Sequence, residues 1–333
     1  MVIEPAAPAV VLVNLGTPAA PTASAVRRFL AEFLSDRRVV ELPALIWLPI
    51  LHGIVLRTRP HRSAEKYAQI WLPEGSPLAV YTARQAELLR MRLATIGRDD
   101  IRVEWAMRYG EPQLGRLLGR LHAEGCRHLL ILPLYPQYAG STTGAVFDVV
   151  ARLMLRWRDQ PDLRLIRGFA DTPEYIEALA HSVREHWARH GQGERLIISF
   201  HGVPVRSIEL GDAYARECER TTSALAEALQ LRTEEFVLSY QSRFGKARWL
   251  GPATIEIARS LAGQGVRRLD VVCPGFVSDC VETLEELDLE CRQAFLSAGG
   301  AEFHRVPCLN DRPEWIAALA AMVGREWGDD GAA

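Results

Sequence analysis

The chain has 333 residues, which is more than one hydrophobic core usually supports and therefore predicts two domains of ordinary size. Apolar residues make up 48% and charged residues 24%, a composition that excludes a disordered chain. The 39 Lys and Arg nearly balance the 41 Asp and Glu, so no basic field indicates a nucleic-acid partner. Residues 1–9 lack the basic stretch and apolar core of a signal peptide, which predicts a cytoplasmic location.

Short apolar runs alternate with longer amphipathic stretches along the whole chain, which is the pattern of βα units and parallel sheets. The predicted strands are residues 10–14, 102–107, 128–132, 163–167, 196–200, 236–240, 269–273 and 302–306. The predicted helices are residues 22–34, 82–95, 112–124, 144–158, 173–190, 212–228, 253–264, 280–298 and 312–327.

Residues 42–56, here called the apolar lip, are apolar except for His52 and are interrupted by Pro43 and Pro49. A membrane-spanning helix needs roughly 20 uninterrupted apolar residues, so this segment is too short and too broken to cross a bilayer. Two hypotheses stay open. The lip is a buried helix of the core, or it is an exposed apolar surface that rests on the inner membrane with the flanking arginines at the headgroups.

The two halves of the chain repeat the same arrangement of an apolar strand followed by Gly-x-Pro, at residues 10–18 and again at 196–204. This repeat predicts two similar α/β domains, each a parallel sheet flanked by helices. The predicted domains are residues 1–169 and 170–311, with a final helix at 312–327 that packs back on the first domain and a tail at 328–333. Because ligands of such folds bind beyond the carboxyl ends of the strands, we expect the active site in a cleft between the domains.

Candidate chemistry lies in the second half of the chain. No dinucleotide or phosphate-loop glycine motif is present, so a nucleotide site loses its main support. His201 follows a strand end, where an imidazole either caps a turn or handles protons and metal near neutral pH. Glu282, Glu286 and Glu290 recur every four residues on a predicted helix, with Asp279 just before it. This acidic row is either a solvated face or a path for a hard divalent cation and protons.

Several motifs resemble those of the ferrochelatase family, in that family's order, from residue 10 to about residue 312. They are NLGTP at 14–18, GSPL at 75–78, MRY at 107–109, PLYPQY with STTG at 133–144, SFHGVP at 199–204, YQSRFG at 240–245, WLGP at 249–252, and FVSD with VETL at 276–284. The resemblance implies two Rossmann-like domains, and an enzyme that inserts Fe²⁺ into protoporphyrin IX to form protohaem.

The resemblance also implies roles for individual residues. His201 matches the active-site histidine, Glu282 matches the glutamate opposite it, and Glu286 and Glu290 match the acidic row. The residues that match the family's porphyrin-binding positions are Leu15, Ser76, Arg108, Tyr109, Ser141, Thr142, Tyr214, Trp249 and Phe276. The enzyme is expected to bend the porphyrin, while His201 and Glu282 accept the inner protons or hand over the metal.

Two positions depart from the pattern of relatives. Cys280 stands where some relatives have histidine, so the resemblance implies no relay role for this position. Gly140 stands where some carry a cysteine that ligates an iron–sulfur cluster. The six cysteines are scattered, and bringing four together is expected to require both domains. We therefore predict no iron–sulfur cluster and no required cofactor, with Fe²⁺ as a substrate.

Two alternatives to ferrochelatase function remain. The nearer one is a chelatase of the same architecture that acts on coproporphyrin III or sirohydrochlorin, although the coproporphyrin branch tends to carry tyrosine near Leu15. The other is a two-lobed ligand-binding protein, which would need no acidic row.

His181, His186 and His190 share one predicted helix. Without a carboxylate or cysteine motif nearby in the sequence, we interpret them as part of a solvated helix face. The sequence does not indicate an oligomeric state.

Overall fold

The computed structural model describes residues 7–243, 245 and 247–327, and these residues form two compact units. The first unit comprises residues 7–135, 140–168 and 311–327, and the second comprises residues 136–139 and 169–310. Residues 136–139 therefore lie with the second unit, not with the first as the sequence predicted. The predicted tail, 328–333, lies outside the described residues.

Each unit contains one four-stranded parallel sheet. The strands are β1 (Ala9–Gly16), β2 (Arg102–Tyr109), β3 (His128–Pro133), β4 (Asp162–Leu165), β5 (Arg195–His201), β6 (Phe236–Gln241), β7 (Arg268–Val272) and β8 (Glu302–Arg305). The strand order is β2-β1-β3-β4 in the first unit and β6-β5-β7-β8 in the second, all parallel. The two orders are identical when counted within each unit, which confirms the predicted pair of Rossmann-like domains.

Helices cover the sheets. They are α1 (Ala23–Ser35), α2 (Ala44–Ile50), α3 (Leu56–Ile70), α4 (Pro77–Thr95), α5 (Leu114–Ala123), α6 (Ala145–Met154), α7 (Pro173–His190), α8 (Val205–Glu209), α9 (Tyr214–Ala228), α10 (Thr254–Gly263), α11 (Arg292–Ser297) and α12 (Pro313–Trp327). Three π-helical segments span Leu51–Val55, Gly140–Gly144 and Glu282–Cys291, and a 3₁₀ turn spans Thr233–Glu235. Within the first unit, α12 packs against α4.

The central strands are apolar because helices cover both of their faces. In β1, residues 9–13 are completely buried. In β7, Leu269 and Val271 point into a core shared with α10 and α11, and Asp270 between them faces the opposite side of the sheet. Because side chains alternate along a strand, β7 places apolar residues on one face of the sheet and the carboxylate of Asp270 on the other.

The apolar lip forms α2, the π-helical segment 51–55 and the first residue of α3. Leu51 and Leu56 are buried, but Leu45 is 93% exposed, Ile54 60% and Ile46 58%. The hypothesis of a buried helix is therefore wrong for most of the lip. An ordinary surface helix exposes polar residues and buries its apolar face. This segment instead buries a narrow edge and exposes a broad apolar face to water. No helix of the described residues is long and apolar enough to cross a membrane.

Candidate active site

His201 is the last residue of β5, and its half-buried imidazole lies 6.3 Å, centroid to centroid, from the ring of Phe276. The Nδ1 atom is 2.6 Å from the carbonyl oxygen of Gly202. A carbonyl only accepts hydrogen bonds, so Nδ1 must carry the proton in this contact. The neutral ring therefore has its lone pair on Nε2, which is the form needed to take a proton or bind a metal ion.

Gly202 sits where the chain leaving β5 passes very close to β6. Its N–H donates to the carbonyl of Gln241 over 2.7 Å. A Cβ at position 202 would lie 2.7 Å from that same carbonyl oxygen and 3.4 Å from the Trp249 ring. The absence of a side chain at this position therefore allows the backbone contact that fixes the loop after His201.

Gln241 ends β6 and connects three elements through its side chain. Its Oε1 accepts from the hydroxyl of Ser199 over 2.9 Å, and its Nε2 donates to the carbonyl of Glu282 over 2.8 Å. Gln241 is buried, so each of these hydrogen bonds satisfies a group that has lost contact with water. This side chain holds the start of the π-helical segment 282–291 beside the ends of β5 and β6.

Ser242 holds the second glutamate of the acidic row. Its backbone has φ +64°, in the left-handed region, and this turns the N–H toward Glu286 Oε1 at 2.6 Å. The Ser242 hydroxyl donates to the other carboxylate oxygen. Burial raises the pKa of Glu286, the negative charge of Glu282 raises it further, and Ser242 and His201 oppose the rise. His201 and Glu282 therefore both influence the charge of Glu286.

The acidic row lies on a π-helical segment, in which backbone hydrogen bonds run from i to i+5. Glu282 and Glu286 are half-buried near the ends of β5 and β6, and Glu290 is exposed farther along. Asp279 is separate from this row. Its carboxylate pairs with Arg305 at 2.8 Å and accepts from Asn310 and Thr283. The structure thus brings together His201, Glu282 and Glu286, and gives Asp279 different partners.

Three aromatic residues of the second unit complete the set that the sequence singled out there. Phe276 is beside His201, Trp249 lies over Gly202, and Tyr214 is the buried first residue of α9. Burial raises the pKa of the Tyr214 phenol well above its ordinary value, so this group stays neutral. Phe276 and Trp249 thus supply apolar surface beside His201 and the residue that follows it.

The predicted site residues of the first unit lie near the ends of β1 and β2, directly before α4, and on the segment before α6. Ser76 is buried and accepts a hydrogen bond of 2.7 Å from Thr17, while Leu15 is half-buried. Ser141 and Thr142 lie half-buried on the π-helical segment 140–144.

Arg108 does not present a free guanidinium. It forms an ion pair with Asp36, donates from Nε to the carbonyl of Ala145 over 2.9 Å, and lies over the ring of Tyr109. Tyr109 is buried and donates to Asp36, and burial raises the pKa of its phenol. Arg108 therefore positions the end of α1 and the start of α6.

Gln241 and Ser242 are the site residues that sequence reasoning did not single out. Both belong to the motif YQSRFG, which carried a resemblance without roles for individual residues. Their signal is a polar pair directly after an apolar strand, at the edge where His201 also lies.

Comparison with known proteins decides the family. The model of the ferrochelatase family matches residues 7–327. The chain belongs to the ferrochelatase family. Proteins named ferrochelatase from Azoarcus sp. (strain BH72) and Aromatoleum aromaticum are 58% and 57% identical over 320 residues, which is 96% of this chain and 88% of theirs. The ferrochelatase reaction, insertion of iron into a porphyrin in haem biosynthesis, is thus the reaction of this chain, and the enzyme is a lyase.

Solved chelatases share the fold of this ferrochelatase family member. SirB from Bacillus subtilis with Fe³⁺ superposes with a TM-score of 0.53 at 12% identity, covering 96% of this chain and 95% of that one. CbiX, described as the terminal enzyme for biosynthesis of sirohaem in denitrifying bacteria, gives a TM-score of 0.51 at 16% identity, covering 95% and 98%. Identities this low support the fold alone.

Proposed function

We propose that the porphyrin substrate is protoporphyrin IX and that His201 and Glu282 carry the insertion of Fe²⁺. The observation that supports this proposal is the grouping of one imidazole and two carboxylates at the carboxyl edge of β5 and β6. The imidazole has its Nε2 lone pair available, and Glu286 has a raised pKa next to it. A shared set of proton acceptors and metal ligands is what porphyrin metallation requires.

The reaction balances as porphyrin plus Fe²⁺ giving haem plus two protons. The free porphyrin holds two N–H protons in the plane that the metal must occupy, and its ring is stiff. Binding a bent ring more tightly than a flat one lowers the barrier, because a tilted pyrrole nitrogen exposes its lone pair to the metal. In this proposal, His201 Nε2 and the Glu282 carboxylate accept the protons and deliver the iron to the porphyrin. Glu286 and Glu290 continue the acidic row and provide a path for the cation and the protons. No cofactor is required, since iron is the substrate.

The alternative substrate is coproporphyrin III. It carries four carboxylates where protoporphyrin IX has two carboxylates and two vinyl groups, so it is the more polar molecule. Two features favour protoporphyrin IX. Leu15 stands near the position where the coproporphyrin branch tends to carry tyrosine, and the apolar lip exposes a broad hydrophobic face.

The test of substrate choice is to supply the enzyme, under anaerobic conditions, with Fe²⁺ and either porphyrin, and to follow the Soret and visible bands. We expect a higher kcat/KM for protoporphyrin IX by at least tenfold, which corresponds to about 1.4 kcal/mol. An equal or higher value for coproporphyrin III would overturn the choice of substrate and leave the family reaction in place.

We also propose that the protein works in the cytoplasm and touches the inner membrane peripherally through the apolar lip. Protoporphyrin and haem are poorly soluble in water, and an exposed apolar face next to arginines suits a bilayer surface. The large exposed side chains that support the contact are Leu42, Leu45, Ile46, Leu48, Ile50 and Ile54. Since each CH₂ group moved from water into lipid contributes about 0.8 kcal/mol, partial insertion of several of these side chains together is enough for reversible binding.

Flotation with anionic liposomes tests this contact. We expect the wild type to float and a Leu45→Glu, Ile54→Glu variant to remain in the dense fractions. A matched control carries the same change at two exposed leucines outside the lip, Leu155→Glu and Leu210→Glu, which are 85% and 64% exposed. Equal flotation of the lip variant and the wild type would contradict the proposal, as would failure of the wild type to float.

A further inference from the structure

Three histidines of the second unit gather away from His201. His186 and His190 are one turn apart on α7, and His304 is in β8. Their ring centroids are 4.7 Å apart for His186 and His190, 5.8 Å for His186 and His304, and 5.3 Å for His190 and His304. The sequence placed the first two on a solvated helix face, and the third comes from more than a hundred residues later in the chain.

A buried carboxylate lies beside this histidine cluster. Asp270 is the register partner of His304 in the neighbouring strand, and it is only 1% exposed. Its Oδ2 accepts from Trp187 Nε1 and from the N–H of Gly193, each at 2.7 Å, but its Oδ1 has no hydrogen-bond partner. A buried carboxylate oxygen without a hydrogen-bond partner is unusual, because it has lost water without gaining a donor.

We propose that His186, His190 and His304 bind a divalent transition metal of borderline softness, such as Zn²⁺ or Co²⁺, with Asp270 orienting the ligand rings. Imidazole nitrogens suit these ions, and three protein ligands with one open position form a common tetrahedral arrangement. A histidine that binds metal usually donates its other N–H to a carboxylate, which is the role open to Asp270 Oδ1.

The spacing of the rings fits one metal ion. A point equidistant from the three centroids lies about 3 Å from each, which is close to a Zn–N bond of about 2 Å plus the distance from nitrogen to ring centre. Among the described residues, no three side chains of ligand type already have donor atoms gathered around one point, so the rings must rotate to bind. The Nε2 of His186 has no hydrogen-bond partner to give up in doing so.

His190 is exposed, which leaves an entry path for the metal ion from solvent to the histidine cluster.

The proposed site is separate from the insertion chemistry. Asp270 pairs in register with Leu196, five residues before His201 on β5, so the two groups lie about 16 Å apart along the strand. Metal held by the histidine cluster is expected to bridge α7 and β8. Binding to the native state alone stabilises the fold by mass action.

The experiment titrates Co²⁺ into untagged protein in a His201→Ala, Glu282→Gln background, which removes the ligands of the insertion reaction. Co²⁺ in a tetrahedral imidazole site gives visible ligand-field bands. We expect one equivalent to bind with these bands, and at least tenfold weaker binding when His190→Ala or His304→Ala is added. His181→Ala, on the same helix but outside the cluster, serves as the matched control and should bind like the background.

His190 is exposed, so its substitution leaves folding intact even if changes at half-buried His186 do not. Equal Co²⁺ affinity in the His190→Ala and His181→Ala variants would overturn the proposal, and so would the absence of ligand-field bands in the background protein. A second readout is the thermal midpoint, which Zn²⁺ should raise in the His181→Ala variant and not in the His190→Ala variant.

Discussion

Gly202 shows how a single backbone position sets the geometry of the histidine before it. Any Cβ at this position would lie 2.7 Å from the Gln241 carbonyl oxygen, and backbone atoms do not move aside cheaply. The loop would have to shift, and the hydrogen bond from Gly202 N–H to Gln241 would lengthen with it. Because His201 Nδ1 donates to the carbonyl of Gly202, the imidazole would move too.

We predict that Gly202→Ala lowers the rate of iron insertion by about 100-fold, since misplacing a reacting group by 1 Å costs about that much. Steady-state metallation of protoporphyrin IX measures the loss. The matched control is Gly263→Ala at the end of α10, where an added Cβ meets nothing within 4 Å. Wild-type turnover in Gly202→Ala would show that the position of His201 does not depend on this contact.

At the scale of elements, the buried pair of Asp279 and Arg305 ties β8 to the residues just before the π-helical segment 282–291. Their side chains are 6% and 7% exposed. Arg305 also lies 3.4 Å from Asp288 within that segment. The pair therefore stabilises the element that carries Glu282 and Glu286, and its role is positioning.

We predict that Asp279→Ala lowers the free energy of unfolding by about 3–5 kcal/mol, because it leaves a buried guanidinium without its main partner. Denaturant unfolding measures the change. Asp162→Ala is the control, as this carboxylate is 59% exposed and pairs with exposed His128, so it should change stability by less than about 1 kcal/mol. Two similar values would mean that the Asp279 contact adds little to stability.

The elements differ in how far sequence could predict them. The eight strands were located to within two residues because buried parallel strands form uninterrupted apolar runs. Helix α3 was not predicted, since Pro60 and its many charged residues obscure the amphipathic pattern. The segment 282–291 was predicted as a helix, but α- and π-helical turns place the same residues on nearly the same face, so the pattern does not separate them.

Side-chain partners were harder to predict than elements. The sequence placed Asp279 in the acidic row because only neighbours along the chain were visible. Its partner Arg305 is 26 residues away and reaches it through the parallel pairing of β7 and β8. The two hydrogen bonds from Ser242 to Glu286 could not be predicted either. They depend on a left-handed backbone angle at Ser242, and serine is not a residue type that indicates this conformation.

At the scale of the whole molecule, the sequence analysis expected that four cysteines could meet only if both domains contributed, and the structure differs from this expectation. Five of the six lie in the second unit, at residues 218, 273, 280, 291 and 308, so a cluster would not need both units. All six are buried free thiols, and burial raises the pKa of each.

We still predict that the protein carries no iron–sulfur cluster. Protein purified anaerobically should contain no acid-labile sulfide and show no brown charge-transfer bands. Cys273, Cys280 and Cys308 interact electrostatically and are the thiols to test if sulfide is found. Stoichiometric sulfide that disappears in a Cys308→Ser variant would contradict the prediction.

The central claim is that iron insertion depends on the imidazole of His201 and the carboxylate of Glu282. The measurement is anaerobic insertion of Fe²⁺ into protoporphyrin IX, followed at the Soret band, for the wild type and for His201→Ala and Glu282→Gln. Controls are His128→Ala and Glu209→Gln, which change the same residue types at exposed positions. We predict a fall of about 10²–10⁴-fold in each active-site variant, with circular dichroism unchanged and both controls at wild-type rates. Turnover near the wild-type rate in His201→Ala would contradict the account.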